Sequence, residues 1–90
     1  MLNYETLREP LRGGIERWVE QGVQPGSFLS AVIANNLVEA YHCADDQNTR
    51  AMHSIVSWFY NEMPASAWGS PKKAKVWAAQ FERTFNWERE

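Results

Sequence analysis

The sequence predicts an all-α fold, a compact bundle of four helices with short connections. Three observations lead there. Apolar residues recur at spacings of three and four through four segments of helical length. Turn-rich stretches separate those segments: Gly22-Val23-Gln24-Pro25-Gly26, Asp45-Asp46-Gln47-Asn48, and the run from Pro64 to Pro71. No segment shows the period-two alternation of a half-buried strand. At 90 residues the chain reads as one domain over 1–90, with helices over about 9–21, 27–43, 46–63 and 71–86.

The first helix has Pro10 in its opening turn, where a missing N–H costs little. Leu7, Leu11, Ile15, Trp18 and Val19 share one face. Gly13-Gly14 interrupts the helix-forming residues, so either the helix starts after the pair or the glycines permit close backbone packing; the continuous stripe favours packing. The second helix is capped by Ser27 and buries Phe28, Leu29, Val32, Ile33, Leu37, Ala40 and Tyr41. Asn35 and Asn36 sit inside it, one facing outward and the other bonding across the bundle or an oligomer seam. The third starts at Asp45 or Asp46 and buries Met52, Ile55, Val56, Phe59 and Met63 before Pro64 stops it. The fourth has Ser70 as cap and Pro71 at its first position, with Val76, Trp77, Phe81 and Phe85 inward.

Composition narrows function. Hydrophobic residues make up 44% and charged residues 22%, so the chain is globular rather than disordered. A net charge of -2 argues against general nucleic-acid binding. The single cysteine, Cys43, excludes an internal disulfide and fits a reducing compartment. No apolar run is long enough to span a membrane, and Met1-Leu2-Asn3-Tyr4-Glu5 lacks the basic start of a signal peptide. The expectation is a soluble cytoplasmic protein.

Five tryptophans in so short a chain exceed what a thin core needs, which directs attention to surfaces. Trp58 and Tyr60 flank the core position Phe59 and are expected to project outward; with Asn61 they form a candidate partner-binding surface. Trp87, in the terminal Asn86-Trp87-Glu88-Arg89-Glu90, is expected to be exposed. All the lysines, Lys72, Lys73 and Lys75, crowd a helix start, where the dipole disfavours cations. Trp68, Gly69, Ser70, Lys72 and Lys73 therefore form a candidate site for a phosphate-containing small molecule, with amides and ammoniums on the anion and Trp68 stacked on a base. The competing reading is a solvated turn with Trp68 anchored in the core. Gly26 and Ser27 make a second glycine-serine helix start, and of the preceding Arg8, Arg12 and Arg17, which can approach it in space, Arg12 joins the candidate site; Ser27 as a simple cap is the plainer reading.

Catalytic and metal chemistry find little support. Glu39, His42 and Cys43 lie at i, i+3 and i+4, with His53 on the next helix, but no second Glu-x-x-His and no Cys-x-x-Cys completes a metal site. Cys43 and His42 are neighbours on a helix and point about 100° apart, so they make no nucleophile–base pair. No cofactor, metal or enzymatic activity is expected.

The series Arg12-Gly13-Gly14-Ile15, Pro25-Gly26-Ser27-Phe28-Leu29 with Ala31-Val32, Asn36-Leu37, Glu39-Ala40, Ala44-Asp45, Asn48, Trp58-Phe59-Tyr60-Asn61, and Trp68-Gly69-Ser70-Pro71 with Trp77 resembles a family of small proteins carried by tailed bacteriophages and prophages of proteobacteria. The similarity runs over roughly residues 7–80. The resemblance implies an accessory protein in an infected or lysogenic bacterial cytoplasm, and it brings no catalytic residues. Two functions follow as expectations. One is counter-defence, in which a homo-oligomer sequesters a phosphate-bearing nucleotide immune signal. The other is a stoichiometric inhibitor or adaptor that docks on a host bacterial protein through an aromatic face. A small DNA-binding regulator ranks third, since the chain lacks a basic recognition helix.

Overall fold

Asparagine tolerates the left-handed backbone region, and its short side chain competes for nearby N–H groups; both properties end helices. Asn35 and Asn36 use one each. Asn35 has φ 60°. Asn36 accepts a bond from the N–H of Glu39 at 3.1 Å and so caps a new helix. The helix expected over 27–43 is therefore two. The computed structural model describes residues 2–89, with side chains through Phe81. In order it has α1 (Glu9–Gln21), α2 (Ser27–Ile33), α3 (Leu37–Cys43), α4 (Asp46–Arg50), α5 (Met52–Glu62), a 3₁₀ turn (Ala65–Ala67) and α6 (Pro71–Arg89). The fold is all-helical, with no strand among the described residues.

Six helices thus stand where four were expected. The second division, at Ala51, has no breaker residue to announce it. Ala51 takes φ -92° and ψ 5°, a bridge conformation that turns the chain between α4 and α5. Contacts from outside the segment hold α4: the guanidinium of Arg8 donates to Asn48 Oδ1 and Gln47 Oε1. Asp45 caps α4 through the N–H of Asn48 at 2.7 Å. Ser27 is the first residue of α2 rather than its cap; Gly26 occupies that position and supplies no side-chain bond.

The break redirects side chains. Leu37 and Tyr41, expected in the core, lie exposed on α3, whereas Ala40 stays buried. On α5 the periodicity places Val56 inside and Trp58 outside, and the structure reverses both. The N-terminal segment is the cause. Tyr4 stacks on Trp58 with centroids 5.5 Å apart, and the indole N–H donates to Asn3 O at 2.6 Å. Leu7 joins the same core, so residues before α1 cover a face of α5 that helical phase alone leaves open. Val76, also expected inward, is exposed on α6. Phe85 and Trp87 lie outside the described side chains.

α1 runs through both glycines. A methyl group at Gly14 would meet Leu29 Cδ1 at 3.5 Å and Pro25 Cβ at 3.7 Å, ordinary van der Waals separations, so α1–α2 packing does not require glycine there. Gly22 is different. It ends α1 at φ 67°, with its own N–H on Trp18 O, the bond of an αL cap, and that of Val23 on Arg17 O. A Cβ there would lie 2.5 Å from Phe81 Cδ2. Gly14→Ala is accordingly expected to raise the free energy of unfolding by up to about 1 kcal/mol. Gly22→Ala is expected to lower it by at least about 1–2 kcal/mol, from the left-handed backbone alone. Urea denaturation of the two variants checks the contrast.

Candidate functional site

Two concavities flank the C-terminal end of α2. The larger, about 410 Å³, lies between α2 and α6, and Trp18 closes its floor. Its walls are mostly apolar, and among the described residues Lys75 is the one ionisable side chain that lines it. The smaller, about 140 Å³, runs between α3 and α5 and is lined by Leu37, Ala40, Met52, Val56 and Trp68.

The residues expected to hold a phosphate do not assemble around either cavity. Among them only Trp68 lines one, and it lines the smaller. Its half-buried ring meets Phe59 edge-on with centroids 5.3 Å apart, so it anchors the loop as well as walling the groove. Gly69, at φ 118°, donates its N–H to Ile33 O at 2.8 Å, which spends that amide inside the fold. Ser70 Oγ accepts from the N–H of Lys73 at 3.1 Å and caps α6. Lys72 and Lys73 are exposed, and the Lys73 side chain lies over the open face of Gly69. Gly26 and Ser27 are exposed at the start of α2. Arg12 turns back on the N-terminal segment, donating from Nε to Leu7 O and from Nη2 to Glu5 O, both at 3.0 Å. That pairing explains its place in the sequence without a ligand.

The expected partner surface divides. Trp58 is 2% exposed, so its assignment to an outward surface is corrected: burial under Tyr4 and the bond to Asn3 make it a core residue. Tyr60 is 81% exposed, and Asn61 is exposed beside it. Tyr60 has company that sequence periodicity assigned to the core or left unremarked. Leu37 is 64% exposed and Val38 80%, with Tyr41 and Val56 also open. Leu37 and Tyr41 are one turn apart on α3, as Val56 and Tyr60 are on α5, so each pair shares a helix face. Leu37 and Val56 line the same groove. The signal in the sequence was Asn35-Asn36: read as a helix stop, the pair detaches Leu37 and Tyr41 from the buried stripe of α2.

The thiol of Cys43 donates to Glu39 Oε2 at 3.4 Å, and this bond to a carboxylate pushes its pKa up. A raised pKa leaves less thiolate, the form a nucleophile needs. His42 and His53 are exposed on separate helices. Among the described residues no cluster of three or more His, Cys, Asp or Glu could hold a metal ion. Nor is any described helix long and apolar enough to cross a membrane. Comparison of the chain with protein-family models, with curated proteins and with solved structures finds no match.

The split between Trp58 and Tyr60 has a direct measure in stability. Trp58→Ala empties a core site and is expected to cost about 3–5 kcal/mol. Tyr60→Ala removes an exposed ring and is expected to stay within about 0.5 kcal/mol of the parent. Urea unfolding followed by circular dichroism reads both.

Proposed function

We propose that the protein is a non-enzymatic accessory protein that docks stoichiometrically on a host bacterial protein through the α3–α5 face, in the cytoplasm of a cell carrying a tailed phage or prophage. The carrying observation is that Leu37 and Val56 line one groove and stay exposed, with Tyr41 and Tyr60 exposed one turn further along the same helices and Val38 exposed next to Leu37 in the chain. Apolar surface concentrated in this way is characteristic of interaction sites rather than of surface left unused. Tyrosine carries both an apolar body and a hydroxyl, which suits the edge of such an interface. The phage setting rests on the sequence resemblance.

Sequestration of a phosphate-bearing nucleotide by a homo-oligomer is the weaker reading. Trp68, its stacking ring, lies against Phe59 and walls the α3–α5 groove itself, and the amide of Gly69 and hydroxyl of Ser70 already have partners. The exposed Lys72 and Lys73 remain in its favour.

Capture from a proteobacterial lysate tests the proposal, with the full chain as bait beside two charge variants. Val56→Glu with Tyr60→Glu is expected to reduce recovery of a specific partner at least tenfold, the scale of a lost hot spot. Lys72→Glu with Lys73→Glu is expected to leave recovery unchanged, and circular dichroism to match the parent in both. The proposal fails if the face variant retains the partner or the lysine variant loses it. A concentration-dependent dimer that the face variant dissolves overturns it in favour of a second copy of this chain.

A further inference from the structure

We infer that the cavity between α2 and α6 is a binding site for a small apolar carboxylate or sulfonate, held by Lys75. This site is separate from the α3–α5 face and independent of the docking proposal. Its volume, about 410 Å³, falls in the range of small-molecule pockets, roughly 300–1,000 Å³. The void has a cause in the sequence. Ala34, which caps the C-terminal end of α2, lines the cavity with Ala74 and Ala78 of α6, and these short side chains leave open the space that leucines would fill.

The walls define the ligand. Trp18 spends its indole N–H on Ala67 O at 3.0 Å, so it offers the cavity ring carbons and no donor. Pro25 and Ile33 add apolar surface. The hydroxyl of Ser30 is doubly engaged, donating to Pro25 O at 2.9 Å and accepting from Gln24 Nε2 at 3.3 Å. Among the described residues Lys75 therefore stands as the one cation on a mostly apolar wall. A single ammonium complements a single negative charge, and the apolar walls favour a hydrocarbon body behind it. A polyphosphate would need several cations, and among the described residues the cavity offers one. A cationic ligand would meet Lys75 with like charge.

Isothermal titration calorimetry of the full chain with sodium 2-naphthoate and with octanoate tests the inference. Saturable binding of one equivalent is expected, with Lys75→Glu weakening it at least about tenfold, the scale of one charge-assisted bond, and Lys75→Arg retaining it. Ala78→Phe, which fills the void, is expected to abolish binding while circular dichroism remains that of the parent. Should that variant misfold, the Lys75 pair still decides. Val56→Glu with Tyr60→Glu is expected to bind as the parent does, which separates this site from the docking face. Three results would each overturn the inference: no saturable heat with either anion, equal affinity for 2-naphthylmethylammonium, or unchanged affinity in Lys75→Glu.

Discussion

Burying an indole requires an acceptor for its N–H, and in this protein those acceptors are backbone carbonyls far away in the chain. Trp58 donates to Asn3 O, Trp18 to Ala67 O and Trp77 to Trp18 O. The first bond fastens the N-terminal segment across α5. The second joins α1 to the 3₁₀ turn, and the third sets α6 on the end of α1. The helices are short, and α2, α3 and α4 have seven residues or fewer. Isolated helices of that length are marginal in water, so tertiary contacts must supply their stability. The three indole bonds fix where those contacts fall.

The aromatic surplus is thereby largely spent on architecture. Trp18 and Trp58 are buried, and Trp68 and Trp77 are half-buried with ring partners. Tyr4 and Leu7 close over α5 from one side. Nothing among the described residues closes over its other side, where Val56 and Tyr60 face out beside Leu37 and Tyr41. The proposed function rests on that asymmetry: one flank of α5 is sealed by the protein itself, and the other is open. The cavity on the far side of α2 has a different origin, in small side chains that keep α2 and α6 from filling the space between them.

Much of the helical content was legible from periodicity and caps. Glu9–Gln21 follows from Pro10 and Gly22, Asp45 marks the start of α4, and Ser70-Pro71 marks that of α6. Two kinds of information were not legible. Helical phase assigns Val56 inward and Trp58 outward because it contains no knowledge of what the segment before α1 covers; the burial of Trp58 is a long-range fact. The break at Ala51 likewise has no local signal, and α4 before it is held by contacts from Arg8, far away in the chain. The stop at Asn35-Asn36 was written locally, but an unbroken apolar stripe conceals it. The candidate site suffered accordingly. The exposure of Tyr60 and Asn61 was legible, whereas that of Leu37, Val38 and Val56 required the break and the cover to be known. The lysine cluster drew attention to Lys72 and Lys73, yet Lys75 is the one that lines a cavity.

The central claim is that the α3–α5 flank is the working surface. Amide hydrogen exchange of the protein alone and bound to the captured host protein tests it most directly, because exchange reports which helices a partner covers. The account predicts added protection across residues 37–43 and 52–62, with the start of α6 unchanged. Protection concentrated on residues 70–75 instead, with α3 and α5 exchanging as in the free protein, would contradict it.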